Sequence, residues 1–423
     1  MLDLKFVREN ADAVKKAIQQ KRVNLNLDEL LQIDQQVLDL KRKLQTLQEE
    51  KNAVAKLVPK ASPAERPGLI ERGRNVGQEI SKLDPEVLVK EEDLKKLLWL
   101  TPMIPADDVP IGKDDSENVE RKKVGAPPEF NFAFKDHVDV ILKNQWAEFE
   151  RMAAVSGSRM IALKNELALY EFAVLRFALD FLAKKGSTII TLPAMVREAS
   201  LYGTGHFPAG RDQVYYLPDD DLYLSGTAEV PLTSLHSGEI MSDSQLPMRY
   251  GAFSPCFRRE AGSAGKDVRG LMRVHQFNKV EQFAFCRNDP EESAYWHREL
   301  LNTSEEICQA FELPYRVIEV CTGDMGAGKY RMHDIECWVP SEKRYRETHS
   351  CSSLHDWQAR RANLRYRDKE DKVKFIHTLN NTAVATPRIL ISLLENHQLE
   401  NGAVKIPKAL QPYMGGQDRI GGK

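Results

Sequence analysis

The strongest constraint on the fold of this chain is a heptad repeat that is interrupted once near the N-terminus. A first run of residues separated alternately by three and four positions, apolar except for one lysine, comprises Leu30, Ile33, Val37, Leu40, Leu44, Leu47, Lys51, Val54 and Val58. The pattern resumes at Leu69, Gly73, Val76, Ile80, Leu83, Val87, Lys90, Leu94 and Leu97. The intervening "PKASPAERPG" is rich in proline and cannot continue a helix. Two segments of matching length around a turn predict an antiparallel helical hairpin rather than a dimerising coiled coil.

This predicted hairpin, which we call the arm, is long and thin. Its first helix, about 29 residues, would extend roughly 43 Å at 1.5 Å per residue. Because such a hairpin buries only its own seam, we expect it to project from the body of the protein and to contact a partner. Pro85 lies inside the returning helix and is expected to kink it or to interrupt a turn. The first twenty residues predict one further short amphipathic helix.

Composition narrows the class of protein. The chain has 423 residues and a net charge of −2, so a nucleic-acid partner would need a locally basic surface. No stretch approaches the roughly eighteen apolar residues of a membrane span, and the N-terminus lacks the apolar core of a secretory signal. The six cysteines are scattered without a CxxC pair, which is typical of reduced thiols in a cytoplasmic protein. We therefore expect a cytoplasmic protein without membrane association and without zinc.

The chain after the arm predicts an α+β domain. Residues 101–128 contain five prolines among charged residues and are interpreted as a linker rather than a core element. Helices are predicted over 161–185 and 387–396. Strands are predicted for "STIITLPAMV" and over 249–257, 271–286, 314–321 and 332–339. Consecutive strands favour a mostly antiparallel sheet flanked by helices.

One nucleotide-binding motif is present only in part. "GDMGAGKY", residues 323–330, fits the spacing GxxxxGK of a phosphate-binding P-loop. However, Tyr330 stands where a P-loop has a Ser or Thr for Mg²⁺. A P-loop also opens a helix, whereas "HDIECWVP" alternates like a strand. These departures argue against a P-loop hydrolase.

A charged hairpin predicts a different nucleotide site. "FRREAGSAGKDVRG", residues 257–270, joins two predicted strands, and the outgoing strand begins "RVHQFNKVE". Period-two alternation places five of its residues on one face: Arg273, His275, Phe277, Lys279 and Glu281. Arginines suit phosphate oxygens, an aromatic ring stacks on a base, and a carboxylate receives an ammonium. This face predicts a site for a nucleoside triphosphate beside an amine.

Three other segments are polar where an apolar element is expected. "LYLSGTAEVPL" places Thr227 and Glu229 between apolar runs. Glu347 and Ser350, three residues apart, are suited to the hard cation Mg²⁺. "TLNNTAVATPRILISLLEN" is interpreted as a polar turn followed by a helix that starts near Arg388, where an arginine is expected if it shares a phosphate with the helix end. Each segment alone is more often structural, but together they favour a ligand site.

These segments resemble a known family. "KKGSTIITLP", "FRREAGSAGKDVRG…RVHQFNKVE" and "NNTAVATPRILISLLEN" resemble motifs 1, 2 and 3 of the class II aminoacyl-tRNA synthetases. The "TAE" at 227–229, the "EAGSAG" loop and the heptad arm are similar to the seryl-tRNA synthetase family, and the resemblance covers essentially the whole chain. It implies an N-terminal antiparallel coiled-coil arm followed by a class II antiparallel β-sheet catalytic domain. The implied domains are 1–104 for tRNA binding with an arm over about 27–98, a linker at 105–128, a catalytic domain at 129–418 and a tail at 419–423.

The resemblance also assigns the nucleotide site. Arg258 and Arg388 are implied as the catalytic pair, with Arg258 at the α-phosphate and Arg388 at the γ-phosphate and one side of the adenine. Glu260 is implied to contact the adenine amino group, and Phe277 to stack on its ring. The complete implied ATP site is Arg258, Arg259, Glu260, Arg273, Val274, Phe277, Glu347, Thr348, His349, Ser350 and Arg388, with Glu347 and Ser350 also holding Mg²⁺.

The implied serine site and reaction follow the same match. The serine-binding residues are Thr227, Ala228, Glu229, Arg258, Glu281, Asn380 and Thr382. The implied enzyme is an ATP-dependent ligase that forms seryl-adenylate and transfers serine to the 3′ end of tRNA(Ser), and of tRNA(Sec) where the host has one. Its implied partners are L-serine, the long variable arm of the tRNA, and a second copy of the chain through motif 1.

One alternative and one departure stay open. A catalytically silent RNA-binding paralogue would usually lose motif arginines, whereas Arg258, Arg273 and Arg388 are all present. Many bacterial relatives carry "LNGS" where this chain has "LNNT", which keeps a hydroxyl at Thr382 but puts the backbone shape at Asn381 in doubt.

The middle of the motif 2 loop is assigned no catalytic role. Its small residues, Ala261 to Gly265, predict a mobile segment that meets first the nucleotide and later the tRNA end. The charges that follow, Lys266, Asp267 and Arg269, are interpreted as solvated.

Overall fold

The computed structural model describes residues 1–262, Asp267 and residues 269–422. Its contacts divide the chain into two compact units. The first consists of Met1–Gln19 and Val23–Pro102, and the second of Gln20–Arg22 and the chain from Met103 onward. In the described part of the chain, no helix is long and apolar enough to cross a bilayer.

The described residues form twelve α-helices. Their bounds are α1 Leu4–Glu9, α2 Ala11–Gln20, α3 Leu27–Leu57, α4 Arg66–Leu100, α5 His137–Lys143, α6 Glu150–Ser156, α7 Asn165–Lys184, α8 Glu198–Thr204, α9 Glu229–Leu235, α10 Pro290–Ala310, α11 Trp357–Ala362 and α12 Arg388–Asn396. The single helix predicted for the first twenty residues is therefore wrong. It divides at Asn10, whose side chain donates to the carbonyl oxygen of Phe6 at 3.0 Å.

The strands are short except in one large sheet. Their bounds are β1 Val119–Val124, β2 Ala147–Glu148, β3 Ala162–Leu163, β4 Thr188–Thr191, β5 Met195–Val196, β6 Tyr215–Leu217, β7 Leu222–Leu224, β8 Ile240–Ser242, β9 Met248–Phe257, β10 Gln276–Cys286, β11 Tyr315–Glu319, β12 Arg331–Val339, β13 Arg344–His355, β14 Arg365–Arg367, β15 Val373–Phe375, β16 His377–Thr386, β17 Val404–Lys405 and β18 Arg419–Ile420.

The first unit contains the predicted helical arm. The side chain of Asn26 caps α3 by accepting from the backbone nitrogen of Asp28 at 3.1 Å. Heptad residues of α3 and α4 form the seam, in a cluster of Leu40, Leu44, Leu47, Val76, Ile80, Leu83 and Val87. The antiparallel arm is confirmed. The interruption expected at Pro85 is wrong, because α4 continues through this residue from Arg66 to Leu100.

The second unit is built on an eight-stranded sheet with the order β1-β11-β12-β13-β16-β10-β9-β4. All neighbours in it are antiparallel except β4, which lies parallel to β9 at one edge. One face packs against α7, α12 and the end of α10 in the largest apolar cluster, which includes Tyr170, Leu182, Phe311 and Leu390. This arrangement confirms the predicted α+β class.

Three sequence interpretations differ from the structure here. Residues 101–128 are not all linker, because β1 pairs with β11 as an edge strand of the large sheet. Its exposed charges, "ERKK", protect such an edge from pairing with another chain. The polar turn predicted in "TLNNT" is a buried strand, β16, and no sequence pattern predicts β13. The argument against a P-loop holds, because residues 323–330 lead into β12 and not into a helix.

Candidate active site

Most of the predicted site residues meet in one cleft. Its floor is made by β10, β16 and β13, and its walls by the segments after β7 and β9 and the start of α12. The predicted residues that line it are Thr227, Glu229, Arg258, Glu260, Arg273, Val274, Phe277, Glu281, Glu347, Thr348, Ser350, Asn380, Thr382 and Arg388. The structure thus brings together residues that are more than 160 positions apart in the chain.

Two β-bulges in the large sheet direct additional side chains toward the cleft. The register of β13 on β12 shifts between Ile335 and Glu336, so Glu347 and Thr348 both line the cleft although they are adjacent. The register of β16 on β10 shifts next to Glu281, and residues 380, 382 and 385 then line the cleft. Without these bulges, a strand presents only alternate residues to one face.

Three residues that the family resemblance assigns to the site do not line the cleft, and neither does His275, which strand alternation placed on the ligand-binding face. Ala228 is fully buried in a neighbouring apolar cluster. His349 lies below the floor, where its Nε2 donates to the carbonyl oxygen of Ala383 at 3.1 Å and burial lowers its pKa to about 4. The guanidinium of Arg259 lies 6.0 Å from the ring of Tyr215. The side chains of Ala228, Arg259 and His349 are therefore not part of the cleft lining, and their assignment to the ligand site stays a prediction.

One end of the cleft is aromatic and cationic. The guanidinium of Arg258 lies over the ring of Phe277, 5.2 Å from its centroid. Its Nε donates to the carbonyl oxygen of Gly226 at 3.4 Å. Arg273 forms an ion pair with Glu260. A flat ring beside two guanidinium groups is suited to a purine and its phosphates.

The charges of the motif 2 loop are partly paired. Asp267 accepts from Arg346 at 2.8 Å, and Arg269 donates to Asp136 and Asp139 at 2.6 Å each. Asp267 is mostly covered and paired, so its interpretation as a solvated charge is wrong, whereas Arg269 is 61% exposed and pairs at the surface. The predictions for residues 263–266, including the mobile segment up to Gly265 and the charge of Lys266, lie outside the described residues.

The middle of the cleft offers oxygen ligands. Glu347 and Ser350 stand on β13 opposite Glu336 and Asp334 of β12. Arg388 donates to the carbonyl oxygen of Glu347 at 3.0 Å and lies 3.4 Å from its carboxylate. Among the described residues, no three His, Cys, Asp or Glu side chains form a cluster that would hold a metal ion by themselves. Glu347 and Ser350 fit Mg²⁺, which usually takes one or two protein oxygens and completes its shell with waters and substrate phosphates.

The other end of the cleft carries buried carboxylates. Glu281 forms an ion pair with Lys279, whose Nζ also donates to Thr227 Oγ1 at 2.6 Å. The backbone nitrogen of Glu229 donates to the same Oγ1 at 3.2 Å. These contacts join β10 to the segment after β7 and hold the Glu281 carboxylate close to the backbone of Glu229.

The two carboxylates differ in acidity. Burial raises the pKa of Glu281, and the nearby ammonium of Lys279 only partly opposes this effect. Burial also acts to raise the pKa of Glu229. The charges of Lys329 and His206 and the hydrogen bond from Gln358 outweigh that effect, so the pKa of Glu229 is lowered. Glu229 is thus the better-stabilised anion of the pair.

The cleft also contains residues that no sequence motif assigned to it. They include His206, Lys329 and Ser352, and the cleft also contains Lys279, to which the family resemblance gives no role. Alternation in β10 already placed Lys279 on the correct face, and Ser352 follows Ser350 by two positions on β13. Lys329 belongs to the segment that resembles a P-loop, and His206 to a distant loop, so local sequence patterns do not indicate either.

The unusual Asn381 does not enter the cleft. Its side chain is fully buried and donates to the carbonyl oxygen of Leu300 at 2.8 Å and to Ser304 Oγ at 2.9 Å, both on α10. Its neighbours Asn380 and Thr382 line the cleft. The departure from "LNGS" therefore affects packing between β16 and α10 and not the ligand face.

Comparison with known proteins matches nearly the whole chain to one family. Residues 1–105 match the family model of the seryl-tRNA synthetase N-terminal domain, and residues 215–397 match that of the tRNA synthetase class II core domain (G, H, P, S and T). The chain is 55% identical over 421 residues to a serine–tRNA ligase of Deinococcus radiodurans, covering 100% of this chain and 99% of that relative. It is 42% identical to a serine–tRNA ligase of Thermococcus onnurineus, covering 98% and 96%.

Solved structures give the same result. The seryl-tRNA synthetase from Pyrococcus horikoshii complexed with ATP has a TM-score of 0.92 at 39% identity and covers 99% of both chains. The cytoplasmic serine–tRNA ligase from Naegleria fowleri in complex with AMP has a TM-score of 0.87 at 29% identity, covering 99% of this chain and 98% of that one. With the arm, the sheet and the cleft in place, these matches show that the chain belongs to the seryl-tRNA synthetase family.

Proposed function

We propose that this protein is a serine–tRNA ligase, an enzyme that activates L-serine with ATP and transfers it to the 3′ end of tRNA(Ser). The observation that carries the proposal is the single cleft with two chemically different ends. One end has Phe277 beside arginines, and the other has Glu229 and Glu281. The full-length identity with serine–tRNA ligases supports the same activity. A catalytically silent paralogue is not favoured, because Arg258, Arg273 and Arg388 all stand at the cleft.

In the first step, a carboxylate oxygen of serine attacks the α-phosphorus of ATP, and the bond to the pyrophosphate oxygen breaks. The serine carboxylate is already ionised near pH 7, so no general base is needed. The protein contributes in-line positioning and stabilisation of the charge that develops on phosphate oxygens. We assign these tasks to Arg258 and Arg388. Phe277, Glu260, Arg273 and Val274 hold the nucleoside.

Glu347 and Ser350 are the residues that would hold Mg²⁺ together with the ATP phosphates. When bound, the ion neutralises phosphate charge and favours departure of pyrophosphate. In this arrangement, Arg388 holds Glu347 by two contacts, to its carbonyl oxygen and to its carboxylate. Arg388 therefore orients a metal ligand in addition to contacting phosphate.

Serine selection is assigned to the carboxylate end. The ammonium group of serine fits Glu229 and the adjacent Thr227, and its hydroxyl fits Glu281 and Thr382. A site that hydrogen-bonds a hydroxyl strongly rejects the analogue that lacks it, because the polar groups of the site are then left unpaired. Asn380 completes this face of β16.

In the second step, a ribose hydroxyl at the 3′ end of the tRNA attacks the carbonyl carbon of seryl-adenylate, and AMP leaves. We propose that the arm binds the long variable arm of tRNA(Ser), and of tRNA(Sec) where present. Cationic side chains Lys43, Lys51, Lys56 and Lys60 are exposed along and near the end of α3. Contacts of this kind respond to the shape and phosphates of an RNA and do not read its bases.

We also propose a homodimer formed around motif 1. The motif 1 strand β4 is an edge strand of the large sheet, and its Ile189 is 39% exposed. On α7, which precedes it, Leu169 and Phe172 are more than 60% exposed. Exposed apolar residues beside an open edge favour a self-complementary interface. The six buried free cysteines support the proposed cytoplasmic location.

The domain division remains part of the proposal. We propose a tRNA-binding domain at 1–104, a linker at 105–128, a catalytic domain at 129–418 and a tail at 419–423. The change of compact unit between Pro102 and Met103 supports the first boundary. The pairing of β1 with β11 moves Val119–Val124 from this linker to the catalytic domain, and the pairing of β18 with β17 likewise includes Arg419–Ile420 in it.

ATP–pyrophosphate exchange with a panel of amino acids tests the first step. We expect exchange with serine and little with alanine, glycine or threonine, followed by serylation of tRNA(Ser) transcripts with but not without the variable arm. Removal of Mg²⁺ by chelation should abolish both reactions, and added Mg²⁺ should restore them. Exchange that depends on another amino acid, or no exchange with any, would contradict the proposed function.

A further inference from the structure

We propose that Gln358 is a positioning residue for serine binding, acting through Glu229 from outside the cleft. This inference rests on the proposed function, since Glu229 is assigned there to the serine ammonium. Gln358 is the second residue of α11 and is fully buried, and it is not among the residues that line the cleft. No motif in the sequence pointed to it.

The amide of Gln358 holds one oxygen of Glu229. Its Nε2 donates to Glu229 Oε1 at 2.6 Å and to the carbonyl oxygen of Thr204 at 3.1 Å. Glu229 is 8% exposed and lines the cleft. A hydrogen bond of this length to a carboxylate is charge-assisted and strong. With Oε1 held, Glu229 has Oε2 to offer to a ligand ammonium.

Thr378 holds the oxygen end of this amide, whose orientation is set by the Glu229 carboxylate and the Thr204 carbonyl. Its Oγ1 donates to Gln358 Oε1 at 2.7 Å from β16, and Thr378 is fully buried. The nitrogen end of the amide faces two acceptors, and the oxygen end faces one donor. Rotation of the amide by half a turn would place its oxygen against the Glu229 carboxylate and the Thr204 carbonyl. The chain Thr378–Gln358–Glu229 is therefore satisfied in one orientation only.

The chain of contacts runs from the sheet floor to the serine end. Thr378 and Thr382 belong to the same strand, β16, and Gln358 connects that strand to Glu229 at the start of α9. A purely packing role would need only the volume of Gln358. A positioning role needs its donor, because that donor both orients the carboxylate and favours its ionised form.

Steady-state ATP–pyrophosphate exchange with Gln358→Met tests the inference, since methionine keeps the length and removes the donor. We expect the KM for serine to rise about tenfold or more, as is typical for loss of a hydrogen bond to a charged group. The KM for ATP and kcat should stay within about twofold of the unsubstituted protein. The acid limb of kcat/KM for serine should move to higher pH, because Glu229 then ionises less readily. Gln358→Glu should raise the serine KM further, since two carboxylates would face each other.

Thr378 supplies a second test if substitution of Gln358 impairs folding. Thr378→Val removes the hydroxyl that holds the amide oxygen and should raise the KM for serine. Thr378→Ser keeps the hydroxyl, so its KM for serine should equal that of the unsubstituted protein. The inference is overturned if Gln358→Met or Thr378→Val leaves serine kinetics unchanged, or if it raises the KM for ATP as much as that for serine. If the unsubstituted protein itself lacks serine-dependent exchange, the proposed function fails instead.

Discussion

Three pairs of oppositely charged side chains line the cleft. Lys279 pairs with Glu281, Arg273 with Glu260, and Arg388 with Glu347. Of these, only Lys279 and Glu281 are buried, and a buried charge without a partner costs several kcal/mol, so this pair is the one on which the stability of the fold depends. When a ligand binds, a paired side chain exchanges its protein partner for a group of the ligand. Substitution of one member of a pair therefore affects both ligand binding and the stability of the fold.

Glu281 is the residue through which we expect serine to be distinguished. Glu281→Ala should raise the KM for serine at least tenfold and leave the KM for ATP nearly unchanged in ATP–pyrophosphate exchange, because Glu281 lies at the carboxylate end of the cleft. It should also lower the melting temperature, since Lys279 loses its partner.

Glu260→Gln is the matched control for this substitution. Glu260 also pairs with a cation but lies beside the predicted purine site, so the substitution should raise the KM for ATP more than that for serine. Unchanged serine kinetics in Glu281→Ala would rule out the assignment of Glu281.

Most of the residues that line the cleft were predictable from the sequence, and those placed there or next to it by distant contacts were not. Alternation and motif resemblance located Phe277, Glu281 and Arg388. Lys329, which lines the cleft, and Gln358, which contacts Glu229 from outside it, escaped prediction because their positions arise from contacts between elements distant in the chain. A local sequence pattern does not indicate contacts between residues that are distant in the chain.

At the scale of elements, a strand is predictable from sequence when its two faces differ in polarity. It is not predictable when one face is polar because it lines the cleft and the other is polar because it contacts a helix. β9 and β11 follow apolar patterns that predict them. β13 and β16 carry Ser, Thr and Asn on the cleft side and in contacts with α10, so their sequences read as loops. Burial by neighbouring strands, and not intrinsic propensity, makes them strands.

The arm is an element whose removal should separate the two steps of the reaction. Replacing residues 35–90 by a short Gly-Ser turn should abolish serylation of tRNA(Ser) and spare serine-dependent ATP–pyrophosphate exchange. The physical reason is that the seam of the arm is an apolar cluster of its own, distinct from the core under the large sheet.

Charge reversal within the intact arm is the control for that deletion. Lys51→Glu together with Lys56→Glu should raise the KM for tRNA and leave the KM values for serine and ATP unchanged. Loss of exchange in the deletion variant would show that the arm also supports the fold of the catalytic unit.

Proline and glycine inside α4 should limit the stability of the arm. Pro85 lies inside the helix, and an interior proline costs up to about 3 kcal/mol relative to alanine. A Cβ added at Gly77 would meet no atom within 4 Å, so Gly77→Ala should gain about 1 kcal/mol. Pro85→Ala should gain more, and both should slow hydrogen exchange of α4 amides.

Gly73→Ala is the matched control in the same helix. A Cβ at Gly73 would approach Val54 Cγ1 to 3.4 Å, so part of the gain should be lost to packing. Faster exchange in Pro85→Ala than in the unsubstituted arm would show that the proline is needed for the helix.

At the scale of the whole molecule, buried histidines should make stability depend on pH. The rings of His355 and His377 stack at 4.3 Å between centroids, and Tyr330 stacks on His355. Burial lowers the pKa of His355 to about 3 and that of His377 to about 4. Their ordinary pKa is about 6.5, so below that pH the unfolded chain binds more protons than the folded one.

Stability should therefore fall as the pH falls from about 6.5. Each of the two histidines contributes a loss of up to about 2 kcal/mol between pH 6.5 and pH 5. His377→Phe keeps the stacked ring and removes one titrating group, so the melting temperature of this variant should fall less between pH 7.5 and pH 5. Tyr330→Phe changes the same stack without removing a group that titrates in this range. The melting temperature of this variant should fall as much as that of the unsubstituted protein. Equal slopes in all three proteins would contradict the role of His377.

The pairing of β10 between β9 and β16 has a consequence for how such a protein evolves. Lys279 and Glu281 face the cleft, while Val280 packs in the core behind them. Loss or gain of a single residue in this strand would turn the following side chains to the opposite face of the sheet. Lys279 and Glu281 would then point into the core, and Val280 into the cleft. Lineages can therefore change their amino-acid preference here only by point replacement at alternate positions, and length variation is confined to the loops that join the strands.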